Sequence, residues 1–388
     1  MNIIFLFDKP IIPTDGGVEQ VTHTLSKELC NRGHNVLYLC HTQKERVCNV
    51  DSKFKQLYIE LANSSDKDVE KELLRITNKH NITHVISQTF DEERIMRLLP
   101  KHIKKIAVCH IKPFSYMGIK RSRIYNTNSQ NLRQVILKFF RIISPKIYES
   151  FFKRIEERNI SSTYEQADRL CFLSERFYAR VSKYMPMQKQ DKFVAINNPN
   201  TFDVVEAYPF EKRDNIVLWV GRVNNKQKNT IDFVKTWKNL SVKNPAWKAI
   251  VIGDGEDLPF CKKYAKKNNI ERIEFLGQRN DVGDFYKRAK FIAVTSFWES
   301  WCMVITEAMA FGCVPCVYDT YETLHDIIDD RKNGLITNVS SKEMSARIQE
   351  YIDNEAELKK ISFAAQDKIK QFSADRIVTQ WENLLQNI

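Results

Sequence analysis

Two carboxylates, Glu299 and Glu307, stand with seven residues between them, Ser300 to Thr306. The run from Ser296 to Gly312 passes from a polar, aromatic loop into an apolar helical stretch, which predicts a helix beginning near Met303. The first backbone N–H groups of such a helix have no partner inside it, and together with the helix dipole they form an anion site. Glu299 would flank that anion on the loop side. Glu307, about one turn into the helix, would reach polar groups attached to it. A ligand with phosphate in its middle and hydroxyls at both ends suits this arrangement, which describes a nucleotide-sugar.

Further residues with chemical potential sit where predicted strands end. Gly16-Gly17-Val18-Glu19 lies between a predicted strand and helix, where two glycines let backbone approach a ligand closely. The dinucleotide fingerprint G-x-G-x-x-G is absent there. His110 closes Ala107-Val108-Cys109-His110, a position from which a neutral imidazole can hydrogen-bond a hydroxyl. Gly221-Arg222 is followed by Lys226-Gln227-Lys228. Gly253-Asp254-Gly255 and Gly277-Gln278 mark two more strand-end loops, with an ordinary turn the competing reading for Asp254.

In this order, from Gly16 to Gly334, the patterns resemble the retaining glycosyltransferases of the GT-B fold, the large family-four type. Glu299 and Glu307 match its Glu-x7-Glu signature. The resemblance implies an α/β protein of two Rossmann-like domains facing each other across a cleft. It implies that Glu307 binds the ribose, Glu299 the transferred sugar, and His110 the sugar or reaction centre. Arg222 and Lys228 would face the diphosphate and stabilise charge on the leaving group, with Lys226 an alternative to Lys228. No metal is then required, no Asp-x-Asp occurs, and no cofactor is expected, the nucleotide-sugar being a substrate. Gly16 and Gly17 would lie against donor and acceptor entrance, and Gly221 and Gly253 at the cleft. Gly277 would border the base. Ser300, Trp301, Cys302, Met303 and Val304 would surround the phosphate and sugar. Here the chain departs from the family's Glu-Gly-Phe-Gly: Ser300 and Cys302 replace glycines. They would be strained if those positions needed positive φ; otherwise their side chains reshape the sugar pocket. In the family, retention is ascribed to same-face attack, with the leaving phosphate helping to take the acceptor proton.

The elements that must position these residues alternate strand and helix, the sign of parallel doubly wound sheets. Strands are predicted at Asn2–Phe7, His34–Cys40, Thr83–Ser87, Lys105–His110, Leu170–Leu173 and Phe193–Ile196. A second series runs through Ile216–Val220, Ala249–Ile252, Ile273–Leu276, Phe291–Val294 and Val314–Tyr318. A helix from Val18 to Arg32, with Val18, Val21, Leu25 and Leu29 inward, is stopped by Gly33. The boundary falls within Asn197–Asn215, giving an acceptor-binding domain over 1–200 and a donor-binding domain over 201–373. A last helix, about 374–388, with Ile377, Trp381 and Leu384 inward, returns to the first domain by family resemblance. Ile111–Ile160 reads as irregular, apart from an apolar stripe from Leu132 to Ile143 that fits a core or a membrane interface.

The chain has 388 residues, 43% of them apolar, enough for two cores. Nine cysteines fit reduced thiols, and Cys313-Val314-Pro315-Cys316 follows a helix instead of opening one, against a redox role. The Met1–Phe7 run is too short for a signal peptide, which predicts a cytoplasmic protein. Net charge is +12, and Lys101 to Arg158 holds fourteen Lys and Arg against three Glu. Such a block attracts phosphate-bearing partners. Charged residues and Pro145 interrupt any bilayer-spanning run. The expectation is peripheral attachment to an anionic membrane surface through Lys120, Arg121 and Arg123, with a lipid-linked glycan acceptor in surface-polysaccharide synthesis and no nucleic-acid partner. The rival readings are a nucleotide-sugar epimerase of the same fold and a basic membrane- or nucleic-acid-binding module.

Overall fold

Short runs of branched and aromatic residues become parallel strands when helices cover both faces of the sheet, and both parts of this chain are built so. The computed structural model describes residues 1–49, 54–115, 145–202 and 208–388. These divide into two compact units, the first holding the described residues up to Thr201 together with Ala374–Ile388, the second those from Phe202 to Ser373.

In the first unit the strands are β1 (Asn2–Leu6), β2 (Asn35–Cys40), β3 (Gln56–Tyr58), β4 (His84–Ser87), β5 (Lys104–Cys109), β6 (Arg169–Phe172) and β7 (Phe193–Ala195). They form one sheet in the order β3-β2-β1-β4-β5-β6-β7. The second unit contains β8 (Asp214–Val220), β9 (Lys248–Ile252), β10 (Ile273–Gly277), β11 (Ala289–Val294), β12 (Val314–Tyr318) and β13 (Leu335–Thr337), ordered β10-β9-β8-β11-β12-β13. The strand pairings of both sheets are parallel. Chain order reverses between β1 and β4 in one sheet and between β8 and β11 in the other. At such switch points the loops leaving adjacent strands diverge and open a crevice at the carboxyl ends, where open α/β sheets bind ligands.

The core of the second unit gathers Trp219, Phe233, Trp237 and Phe291, all essentially inaccessible. In the first, the Gly17–Asn31 helix buries Val21, Leu25 and Leu29, while Val18 is only half-buried and the inward place near it is taken by Glu19. Gly33, at φ +85°, follows the helix in the left-handed conformation that favours glycine.

The last helix, Ala374–Gln386, belongs to the first unit and packs on Gly17–Asn31. It buries Ile377, Val378, Trp381 and Leu385; Leu384 is half-buried, a shift of one residue from the expected inward face. Its docking is polar at the rim. Arg32 pairs with Glu382 and Asp375, both at 2.5 Å, and His34 Nε2 lies 2.8 Å from Glu382. His84 Nε2 donates to the Leu385 carbonyl at 3.0 Å.

Two expectations need correction, and one lies beyond the described residues. The edge strands β3 and β13, three residues each, carry too little pattern to announce themselves. Ile111–Ile160 is not wholly irregular, since Pro145–Gln166 is a 22-residue helix opened by a proline that needs no N–H at that position. Lys120, Arg121, Arg123 and the Leu132–Ile143 stripe lie outside the described residues. Among the described residues, no helix is long and apolar enough to cross a membrane.

Trp381 is 4% exposed, and removing a buried indole leaves a cavity costing about 3–5 kcal/mol. Trp381→Ala is therefore expected to lower the unfolding free energy of the first unit by that amount in a denaturant titration. A loss under about 1 kcal/mol would contradict the tight docking of this helix.

Candidate active site

Three strand ends of the second unit are locked together through glycine. Gly221 N–H donates to the Ile252 carbonyl at 3.0 Å, and Gly253 N–H to the Gly277 carbonyl at 2.7 Å. A Cβ on Gly253, at φ +132°, would lie 1.9 Å from the Gly221 oxygen, so no other residue fits without moving backbone. This brings the loops after β8, β9 and β10 side by side.

The loop after β8 is shaped by Asn224, whose side-chain oxygen accepts from the amides of Lys226 at 2.8 Å and Gln227 at 3.1 Å. That turn separates the two candidate lysines. Lys226 Nζ faces Glu256 at 3.5 Å, whereas Lys228 Nζ lies 2.6 Å from Glu299 Oε1. Arg222 is exposed. Burial works to lower the Lys228 ammonium pKa, but the neighbouring Glu299 carboxylate outweighs it and the net shift is upward. Lys228 is therefore charged at any physiological pH.

The loop after β11 is stitched to the same place. Phe297 N–H donates to the Gln227 carbonyl at 2.7 Å, and the Thr295 hydroxyl to the Lys228 carbonyl at 2.9 Å. Trp219 Nε1 in turn donates to the Thr295 oxygen at 3.2 Å. Glu299, 6% exposed, is thereby held just before the Met303–Ala310 helix. Met303 and Val304 form the first turn of that helix.

Neither Ser300 nor Cys302 has positive φ, so replacing the family's glycines brings no backbone strain. Cys302 and Trp301 are buried, Trp301 edge-on to Phe372 with ring centroids 5.1 Å apart. Ser300 is half-buried. Burial pushes the Cys302 thiol up to about 12, which keeps it protonated and removes it as a nucleophile. Cys313 and Cys316 are likewise buried, with thiols pushed up to about 12.

Glu307 lies one turn into the helix and is 8% exposed. Tyr286 donates its hydroxyl to Glu307 Oε2 at 3.0 Å. Burial and this carboxylate raise the Tyr286 hydroxyl pKa well above its ordinary value, so it remains a donor. Tyr286 was not visible as a site residue in the sequence, because its role depends on a tertiary contact that no spacing encodes. The same holds for Arg213. Its buried guanidinium donates to the carbonyls of Tyr286 at 3.3 Å, Lys287 at 2.9 Å and Ala289 at 3.1 Å, and to that of Phe311. One cation thus caps the C-terminal ends of the Val282–Arg288 and Met303–Ala310 helices, fixing the pair that carries Tyr286 and Glu307.

The remaining candidates meet at the switch point of the first unit. Gly17 opens the Gly17–Asn31 helix, and Gly16 precedes it in extended conformation. Glu19 folds back so closely that a Cβ on Gly16 would lie 2.7 Å from its Oε2, and its carboxylate pairs with Lys9 at 2.5 Å. His110 Nε2 lies 2.7 Å from Gln88 Oε1, at the end of β4. With Nε2 carrying the proton, Nδ1 is a buried acceptor without a hydrogen-bond partner among the described residues. Burial lowers the His110 pKa to about 4, so the ring is neutral at pH 7. Glu19 was quoted in the glycine motif without a role, and Gln88 gave no signal. Among the described residues no three His, Cys, Asp or Glu side chains gather as a metal-holding group.

The glycosyl transferases group 1 family matches residues 202–368, the stretch that contains Arg213, Gly221, Lys228, Tyr286, Glu299 and Glu307. These residues are a group 1 glycosyltransferase domain. The amylovoran biosynthesis glycosyltransferase AmsD of Erwinia amylovora is 29% identical over 191 residues, 49% of this chain and 52% of that protein. A Campylobacter jejuni enzyme named as an alpha-1,4-N-acetyl-D-galactosaminyltransferase acting on a GalNAc-containing diNAcBac-PP-undecaprenol is 28% identical over 46% of this chain and 50% of its own length. The chain thus spans about half the length of these curated relatives. Anabaena HepE, solved in complex with UDP, aligns over 100% of both chains with TM-score 0.73 and 16% identity, which establishes the GT-B fold.

Arg213 donates to four backbone carbonyls, and burying unpaired carbonyls costs about 1–3 kcal/mol each. Arg213→Met is expected to destabilise the glycosyltransferase domain by about 2–4 kcal/mol in urea unfolding. A change within about 0.5 kcal/mol would show that the cap is dispensable.

Proposed function

We propose that this protein is a retaining, metal-independent glycosyltransferase. It takes a sugar from a nucleoside diphosphate donor and adds it to a glycan acceptor in surface-polysaccharide assembly. The observation that carries the reading is the Lys228–Glu299 pair at the mouth of the Met303–Ala310 helix, with Glu307 one turn inside. A diphosphate seated on the first-turn amides lies beside a charged lysine. It shares that ammonium, and Glu299 is then able to accept a hydrogen bond from a sugar hydroxyl. Glu307, oriented by the Tyr286 hydroxyl, binds the ribose hydroxyls. As the glycosidic bond breaks, charge grows on the leaving phosphate, and Lys228, Arg222 and the helix terminus stabilise it.

His110, neutral and with Nδ1 as an acceptor, is suited to receive a hydrogen bond from a sugar hydroxyl without bringing a formal charge. Retention then follows from attack on the same face, with the leaving phosphate taking the acceptor proton. UDP is the favoured nucleotide because HepE, of the same fold, was solved with it. A lipid-linked acceptor is favoured by the undecaprenol-bearing substrate in the name of the Campylobacter relative. Such an acceptor also implies work at the cytoplasmic membrane face.

Glu307→Ala should weaken donor binding, and Glu299→Ala should mainly lower turnover, since one carboxylate serves the ribose and the other the reacting sugar. Steady-state kinetics of both folded variants tests this; activity equal to wild type in both would remove the reading. Chelation provides a separate test. With cations of the chain at the diphosphate, EDTA is expected to leave activity intact, and Lys228→Ala to lower it more than Lys226→Ala. Activity lost to EDTA and restored by magnesium or manganese would refute the metal-independent part.

A further inference from the structure

The Pro145–Gln166 helix carries apolar residues on two sides, and folding accounts for only one. Its inner side buries Tyr148 and Ile160. Asn159 donates to Asp91 at 2.8 Å, Thr163 to the Phe90 carbonyl at 3.1 Å, and Glu156 accepts from the Phe114 amide. The helix is thus already anchored. Its outer side nevertheless shows Ile147, Phe151 and Ile155 at 59%, 57% and 42% exposure. Residues four apart share one face of a helix, so these three form a stripe and not scattered single contacts. Large side chains aligned in solvent signify a partner surface.

The charge along the stripe indicates which partner. Lys146, Arg154 and Arg158 are exposed, with Arg154 and Arg158 on the same arc as the apolar residues. Glu157, toward the flank, is paired with Lys153 at 3.2 Å. A second copy of this face would set arginine against arginine. An anionic lipid surface offers the opposite: phosphates at the height of the guanidinium groups and a hydrocarbon boundary for the stripe between them. We propose that this outer face docks on an anionic bilayer, with Ile147, Phe151 and Ile155 entering the headgroup boundary and Lys146, Arg154 and Arg158 pairing with lipid phosphate. The inference rests on the lipid-linked acceptor reading, to which it gives a surface.

The test is co-sedimentation of the full chain with vesicles of phosphatidylcholine containing phosphatidylglycerol, and of phosphatidylcholine alone, at low and high salt. Wild type is expected in the pellet with the anionic vesicles at low salt. Ile147→Ser/Phe151→Ser/Ile155→Ser and Arg154→Gln/Arg158→Gln should each lower the partition coefficient by about tenfold or more. Thermal midpoints and stabilisation by UDP-sugars should stay at the wild-type values, because the donor residues belong to the other unit. Wild-type partitioning by both variants would overturn the proposal. So would a dimer, seen by sedimentation velocity, that the triple serine variant dissolves without altering vesicle binding. If wild type ignores anionic vesicles yet still transfers sugar to a detergent-dispersed acceptor, the docking face fails and the transferase reading stands.

Discussion

The ion pair between Lys228 and Glu299 joins the two loops on either side of the second sheet's switch point. Each loop alone would be a short, polar connection with little to fix it. Together they share the 2.6 Å charge pair and the backbone bond from Phe297 to Gln227. The Thr295 hydroxyl reaches the Lys228 carbonyl as well. A nearly buried carboxylate is unfavourable without a partner, and a half-buried ammonium is so to a lesser degree. Each therefore makes the other's position tenable. On the proposed reading, a diphosphate and a sugar would meet charges placed before the ligand arrives, so less reorganisation would be required at binding.

Around this pair the supporting structure is layered. The close approach of Gly253 to the Gly221 carbonyl aligns the strand ends beneath it, and only glycine permits that approach. The Arg213 guanidinium, far back in the domain, draws together the C-terminal ends of two helices and so sets the distance between Tyr286 and Glu307. Cys302 and Trp301 belong to the interior of this scaffold. The departure from glycine at positions 300 and 302 leaves the backbone unstrained, because those positions do not use the left-handed region in this chain.

Much of the fold was legible because central parallel strands read as continuous apolar runs bounded by turn residues. Val314–Tyr318 was assigned residue for residue, and the other central strands to within two or so at each end. What escaped follows from the same physics. β3 and β13 are edge strands too short to show a period. The Pro145–Gln166 helix is apolar on two sides, which blurs the single stripe that betrays a helix. At the site, residues acting through sequence-local geometry were legible: the glycines at strand ends, Glu299 before its helix, Glu307 inside it. Tyr286, Arg213 and Gln88 act through contacts that bridge 21 to 98 residues of chain, and nothing in local spacing marks them.

The most direct measurement is the thermal midpoint of the wild-type chain titrated with nucleoside diphosphate sugars, with the free nucleosides as controls. A ligand at a hundred times its Kd adds about 2.7 kcal/mol to stability by mass action alone. At least one nucleoside diphosphate sugar is expected to raise the midpoint to that extent, while its nucleoside, lacking the phosphates proposed to meet Lys228 and the helix terminus, leaves the midpoint nearly unmoved. Equal stabilisation by nucleoside and nucleotide-sugar, or none from any donor across the uridine and guanosine series, would contradict the account.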